Sequence, residues 1–319
     1  MPSTTPLLCL GEALIDVVAH DGTTSEHVGG SLLNVACGLA RLGHDSTIQA
    51  WFGRDARGEH LRDWTLAAGA KLAPGSQDAA RTPVAYAEVD ADGRATYTFD
   101  IAWEVPTLPD AAAYGHVHTG SISATLEPGG TRVVEAARRA REVGTTSYDP
   151  NIRPALMGSP DAARGRIEEL VALADVVKAS DEDLAWLYDD EPIERTLRRL
   201  KALGPALVVI TRGPWGALAG LAGDDDALQL DQINITVADT VGAGDSFMAG
   251  LLSGLVDADL LGSRAAASRL ARARWSDVQP ALHRAVATSA ITVSHKGAYG
   301  PTQDEVAHLL AHRPAFTGE

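Results

Sequence analysis

The chain has 319 residues, 45% of them hydrophobic, and a formal net charge of -15. That acidity argues against nucleic acid as a general partner, because phosphate backbones are bound by basic faces, but it leaves room for a small anionic ligand held by local donors. No apolar run reaches the length of a membrane span, residues 1–6 lack the basic and apolar regions of a secretion signal, and there are two cysteines, Cys9 and Cys37; a cytoplasmic protein with reduced thiols is expected.

In chain order, Leu7 to Leu10 reads as a short buried strand ending at Gly11-Glu12, and Ala13 to Ala19 continues as extended chain. Gly29-Gly30-Ser31 leads into a helical spacing of Leu and Ala, with Gly43 placed to end the helix. A strand over Thr47 to Phe52 and a helix over Ala56 to Ala68 follow. From Thr82 to Trp103 the pattern changes to a hairpin signature around Asp92-Gly93, an excursion from the strand–helix rhythm. The rhythm then resumes. Strands are expected at His116–Thr119, Thr145–Tyr148, Val176–Ala179 and Ala206–Thr211, with helices over Thr131–Val143, Ala162–Leu173 and from Ser180 onward. A further strand is expected at Ile233–Val237, a helix over Leu282–Val293, and a last helix ending near His312. Such alternation implies a parallel sheet with helices on both faces. Ligands then sit beyond the carboxyl ends of the strands. Gly11-Glu12, Gly120-Ser121, Asp149-Pro150-Asn151, Ser180, Thr211-Arg212-Gly213 and Gly242 therefore fall on one rim.

The stretch Asp239-Thr240-Val241-Gly242-Ala243-Gly244-Asp245-Ser246-Phe247 reads as the glycine turn after a strand and the start of a helix near Gly244. The first amides of a helix have no partner within it, and with the helix dipole they form an anion site, most often for phosphate. Asp245 stands inside that site, where a carboxylate is a cost unless it has chemistry to do. The plainer alternative is a helix cap in an ordinary turn. There is no Gly-x-x-x-x-Gly-Lys-Ser/Thr loop, no Gly-x-Ser-x-Gly hydrolase elbow, and no Gly-x-Gly-x-x-Gly after the first strand.

The string from Asp239 to Leu252 resembles the C-terminal signature of the PfkB (ribokinase-like) family of carbohydrate kinases. Gly29-Gly30-Ser31-Leu32-Leu33-Asn34-Val35-Ala36 is similar to its N-terminal di-glycine signature, with Leu32 and Leu33 where a smaller pair is usual. Gly11-Glu12-Ala13-Leu14-Ile15-Asp16 and Asp149-Pro150-Asn151-Ile152-Arg153-Pro154 look like segments of its fructokinase-like branch. Thr211-Arg212-Gly213-Pro214-Trp215-Gly216 is similar to its nucleotide-side turn. The resemblance implies one α/β domain over residues 1–319, a Rossmann-like doubly wound, mostly parallel sheet. It also implies a small β-sheet lid from about residues 15–29 and 84–103.

The resemblance further implies transfer of the ATP γ-phosphoryl group to a primary hydroxyl of a monosaccharide, with fructose the leading substrate. The sugar 2-keto-3-deoxygluconate, ribose or a nucleoside stays open, as does a non-enzymatic sugar- or nucleotide-binding regulator on the same fold. Asp245 would be the base, and the amides of Gly242, Ala243 and Gly244 would stabilise the transferred group. Asp16, Gly29, Gly30, Asn34 and Arg153 would bind the sugar, beneath an aromatic lid of Tyr86, Tyr97, Phe99 and Trp103. Lys178, Ser180, Thr211, Gly213, Gly216, Gly242 and Gly244 would bind ATP, with the loop His295 to Gly300 closing near the adenine. Ser180-Asp181-Glu182-Asp183 falls where many members carry Asn-x-x-Glu. This makes Asp183, with Glu182 as its substitute, the residue that acts on Mg²⁺, through water. Asp239 resembles a residue that helps hold a monovalent cation in some members, which makes K⁺ a candidate. A homodimer through the lid is a further expectation. His116 and His118 share a strand face but lack a third ligand, so strand packing is expected of them. Arg264, Arg269, Arg272 and Arg274 are expected to form a solvated face.

Overall fold

The computed structural model describes residues 5–20, 23–89, 95–105 and 108–312. Its strands are β1 (Leu7–Leu10), β2 (Leu14–His20), β3 (Thr23–Gly29), β4 (Ser46–Gln49), β5 (Lys71–Leu72), β6 (Val84–Val89), β7 (Ala95–Asp100), β8 (His116–Gly120), β9 (Thr145–Asp149), β10 (Val176–Ser180), β11 (Leu207–Thr211), β12 (Ala217–Leu221) and β13 (Ala227–Leu230). A nine-stranded sheet runs β13-β12-β11-β10-β9-β8-β1-β4-β5. It is parallel from β11 to β5, and antiparallel where β12 and β13 extend its edge. The Thr82–Trp103 excursion pairs with β2 and β3 in a separate four-stranded sheet, order β3-β2-β6-β7.

The central strands are apolar on both faces because both faces are covered. Along β10 and β11, Val176, Leu207 and Val209 enter one core with the helices Ser31–Arg41, Ala243–Asp257 and Trp275–Val293. Their alternates Val177, Ala179, Val208 and Ile210 enter a second core with Pro160–Leu173, Asp181–Tyr188 and Ile193–Ala202. The period of two seen in the strands thus sorts residues between two layers. Helices Ala243–Asp257 and Trp275–Val293 lie very close. A Cβ added at Gly254 would be 2.5 Å from the Ala281 Cα, and one at Gly250 would be 2.9 Å from the Ala285 Cα.

Three expectations change. Ile233–Val237 is not a strand. Only Ile233 and Ile235 turn toward the core, and β13 already closes that edge of the sheet, so the alternating β-branched residues find no ladder partner. The helix Trp275–Val293 begins earlier than its periodicity suggested, because it carries Pro280 in its interior and a proline there ordinarily argues for a break. Trp103 is not a lid residue. It is 3% exposed and packs in a third core cluster with Leu8, Leu10, Trp51 and Val133, and its indole fills the space a side chain at Gly129 would need.

Trp103→Ala should therefore lower the unfolding free energy by about 3–5 kcal/mol, read from equilibrium urea denaturation. A loss below about 1 kcal/mol would place the indole at the surface instead.

Candidate active site

Two helix N-termini meet at the rim of the large sheet. The first belongs to Ser31–Arg41, which starts directly after the lid strand β3. Gly30 between them takes φ 112°, and a Cβ there would lie 2.5 Å from the Glu12 carbonyl oxygen; only glycine satisfies both demands. The second belongs to Ala243–Asp257, whose N-cap Gly242 is left-handed at φ 74° and presses against Ala298. This helix start is anchored from behind. Thr288 Oγ1 donates to the Ser246 carbonyl at 2.8 Å, and Thr292 Oγ1 donates to Ser246 Oγ at 2.7 Å.

Asp245 joins the two. Its Oδ1 accepts from Ser31 Oγ at 2.6 Å and its Oδ2 from Asn34 Nδ2 at 2.8 Å, across more than 200 residues of sequence. Asn34 was expected to touch sugar; here its amide also orients the carboxylate. The Ala243 N–H turns to the Thr240 carbonyl at 3.2 Å. That leaves the next first-turn amides, of Gly244 and Asp245, without an intrahelical acceptor. A lysine lies beside these amides. A Cβ on Gly244 would be 3.1 Å from Lys178 Nζ.

Lys178 is buried on β10 and pairs with the buried Asp149 of β9, Nζ to Oδ2 at 2.6 Å. Burial alone would lower the ammonium's pKa, but the carboxylates of Asp149, Asp245 and Asp183 outweigh it and hold Lys178 above the ordinary lysine value. Asp149 is itself pushed up to about 6, by burial first, with Lys178 opposing. The 2.6 Å pairing holds Lys178 Nζ in place close to Gly244.

Of the residues expected to bind the sugar, Asp16 lies near both Arg153 and Gly29. Burial raises the Asp16 carboxyl, and Arg153 and His27 partly offset it. Gly29 lies against the Asp16 carboxylate with no room for a side chain. Leu32 and Leu33 are fully buried in the first core, so the larger pair after the di-glycine packs inward and does not line the ligand space. Phe99 is half-buried on β7, opposite Ala85, while the Tyr97 side chain and the Asp92-Gly93 turn lie outside the described residues. Tyr86 packs against the first core and faces Arg57.

Of the residues expected to bind ATP, Ser180 and Thr211 are adjacent in register, and Gly213 and Gly216 bound the turn that follows β11. Asp183 sits in a capping box with Ser180. Its Oδ2 accepts from the Ser180 N–H at 3.3 Å and its Oδ1 from the Ile152 N–H at 2.8 Å, while Glu182 is exposed. Asp239 accepts from Val241 N–H and Gly297 N–H at 3.1 and 2.8 Å. It therefore clasps the loop before the helix to the loop 295–300. Among the described residues no three His, Cys, Asp or Glu side chains gather as a metal cage. His116 and His118 hydrogen-bond Thr145 and Ser147, and burial lowers both to about 3, so they pack as neutral rings inside the sheet.

Reading by motif missed two residues of this site. Ser31 follows the di-glycine and was passed over for Asn34. Glu12 was placed on the rim but given no role. It is 5% exposed, its Oε1 accepts from the Ser31 N–H at 3.2 Å, and its Oε2 is buried without a hydrogen-bond partner.

The sequence pattern of the pfkB family carbohydrate kinase matches residues 4–305. The chain belongs to the pfkB family. Among its carbohydrate-kinase relatives, the fructokinase of Klebsiella pneumoniae is 34% identical over 258 residues, covering 77% of this chain and 83% of that one. The solved fructokinase of Xylella fastidiosa with bound ATP superposes with a TM-score of 0.82 at 26% identity, covering 97% of this chain and 99% of that one. A fructokinase of Vibrio cholerae O395 solved with fructose, ADP and calcium has a TM-score of 0.77 at 25% identity, covering 96% and 99%. The pfkB fold accounts for both sheets. No helix among the described residues is long and apolar enough to cross a membrane.

Burial raises Glu12 from 4.5 to about 7. A carboxyl whose folded pKa lies above its unfolded one loses stabilising effect as pH rises between the two values. Glu12→Gln, which cannot ionise, should therefore gain stability over the parent as pH climbs from about 4.5 to 7. The gain should level off at on the order of 3 kcal/mol, measured by urea unfolding across that range. A difference that shrinks with rising pH would reverse the assignment.

Proposed function

We propose that this pfkB kinase is an ATP-dependent fructose kinase, and that Asp245 is its base. The observation that carries the reading is the carboxylate held by Ser31 and Asn34 at a helix start that also presents free amides and the Lys178 ammonium. A primary hydroxyl placed against Asp245 gives up its proton to the carboxylate. Its oxygen attacks the γ-phosphorus, the bond to the β,γ-bridging oxygen breaks, and ADP leaves. Such transfers depend on positioning and charge stabilisation. The amides of Gly244 and Asp245 and Lys178 meet the charge on the moving phosphoryl oxygens.

Asp16, Gly29, Gly30, Asn34 and Arg153 take the sugar hydroxyls, and Phe99 and Tyr97 cover it. ATP lies along Ser180, Thr211, Gly213 and Gly216. Mg²⁺ brought with ATP would supply charge neutralisation; the exposed Glu182 would assist it, since Asp183 holds backbone amides. Asp239 bridges the two loops that would surround a K⁺ ion. We assign the enzyme to the cytoplasm, in keeping with two free, buried thiols, and a second copy to the exposed strand β3 of the lid.

The test is a coupled ADP-release assay over ketoses, aldoses, sugar acids and nucleosides. Fructose should give the highest kcat/KM, and a nucleoside or sugar acid in first place would refute the substrate. Asp245→Asn should bind ATP as the parent does and lose about 10²–10⁴-fold in kcat. Turnover within a few fold of the parent would remove Asp245 from the base role.

A further inference from the structure

We propose that Glu12 is the positioning residue for the base, fixing Ser31 so that its hydroxyl meets Asp245. The inference rests on the reading of Asp245 as base.

The contacts run in sequence. Glu12 follows β1, where it is buried beneath the di-glycine segment. Its Oε1 accepts the Ser31 N–H, and the Ser31 hydroxyl donates to Asp245 Oδ1 at 2.6 Å. The helix that Ser31 opens has no side-chain cap of its own and no acid in its first turn. Glu12 supplies from a distant strand what a capping residue ordinarily supplies locally. Its other side faces the ends of two more strands. The Ser121 hydroxyl lies beside the carboxyl, and Ser121 Oγ accepts from Asn151 Nδ2 at 3.4 Å. Ser121 and Asn151 both hold positive φ, 53° and 36°, a conformation that costs free energy and is kept where surrounding structure over-determines it. The segment after β8 thus reaches the carboxyl directly and the segment after β9 braces it through Ser121, and the carboxyl hands its position to Ser31.

What the site takes from Glu12 is an acceptor oxygen at a fixed reach. Its Oε1 is the atom that holds the Ser31 N–H, and that contact needs an acceptor, not a full charge. A glutamine offers the same acceptor at the same reach, and its amide can donate toward Ser121. An aspartate is one methylene short and cannot reach the Ser31 amide without moving the backbone. A displacement of about 1 Å in a catalytic constellation can cost on the order of 10²-fold in rate.

The experiment is steady-state kinetics, with fructose and ATP, on Glu12→Asp, Glu12→Gln, Ser31→Ala and the Glu12→Asp/Ser31→Ala pair, each checked for folding by circular dichroism. Glu12→Asp should lower kcat about 10–100-fold with KM for ATP within about twofold, and Glu12→Gln should stay within about threefold of the parent. Ser31→Ala should show the same kcat loss, and the double variant should lose little more than either single one, as residues acting through one contact do. Parent-like kcat in Glu12→Asp overturns the proposal. So does an equal loss in Glu12→Gln, which would make charge the requirement, and so do losses that multiply in the double variant. If Glu12→Asp does not fold, Ser31→Ala decides alone, and parent-like kcat there overturns the proposal. Asp245→Asn, run alongside, separates the two readings: full turnover in it refutes the base, whereas an inactive Asp245→Asn beside an active Glu12→Asp refutes only the role of Glu12.

Discussion

Everything at this site depends on one bridge, the paired hydrogen bonds from Ser31 and Asn34 to the two oxygens of Asp245. A carboxylate at a helix N-terminus is favoured by the dipole, but nothing in a single helix decides which way it points. Here a second helix start, arriving from the lid, supplies the direction. Each oxygen keeps a lone pair for an incoming hydroxyl while its angle is held by a donor, and each donor sits at the first or fourth position of a helix buried along its length. The glycine contacts between helices Ala243–Asp257 and Trp275–Val293, and the close approach of Gly38 to Ala249, let these helices stand near enough for short side chains to span the gap.

Charge around the bridge is arranged so that its two neighbours differ. Lys178 faces Asp149, Asp183 and Asp245, so the cation beside the anion site is surrounded by negative charge, although the net arrangement must receive a highly charged nucleotide. Burial moderates the repulsion. Asp149 is kept paired with Lys178, and Glu12, next to Asp245, resists ionisation until about pH 7. The acidic chain as a whole repels anions at long range, yet amides and one ammonium dominate within a few ångströms, where the local dielectric is low.

How much of this was written in the sequence depends on the range of the interaction. Strand and helix positions, the di-glycine, Asp245 and the rim were legible, because they follow from local periodicity and from strand ends. The lid was visible as a break in rhythm between Thr82 and Trp103. Ile233–Val237 misled because β-branched alternation signals a strand only if an edge is available to pair with, and β13 had taken it. Trp103 misled because an aromatic at the end of a hairpin looks like part of it, whereas its chain has already turned back under Gly129. Ser31 and Glu12 were not legible as a pair at all. Their contact joins a residue after a strand to an amide at a helix start 19 positions later, and no spacing rule encodes it. Asp183 shows the opposite case. The capping box that a serine with an acid three residues on announces locally is what forms, and the same carboxylate also ties down the loop that carries Arg153.

The lid has its roots in these constraints. β3 ends at Gly29 and the helix that holds Asp245 begins at Ser31, so one residue, Gly30, separates the lid from that helix, and it is wedged over Glu12 and Ala13. The root of β2 is tied by the Ile15 N–H to the Pro83 carbonyl at 3.0 Å. The root of β6 is tied where Asp55 accepts from the Thr82 N–H and hydroxyl at 2.8 and 2.7 Å, and Arg57 of the following helix ion-pairs with Glu26 on β3. The roots of β2 and β6 are thus tied to each other, and the lid is tied to the body through Asp55 and Arg57. Asp16 lies opposite His27 and Gly29 ends β3, so both sit rootward of the Arg57–Glu26 ion pair. Groups at the root of the lid are thereby held by the body, as positioning within a fraction of an ångström requires.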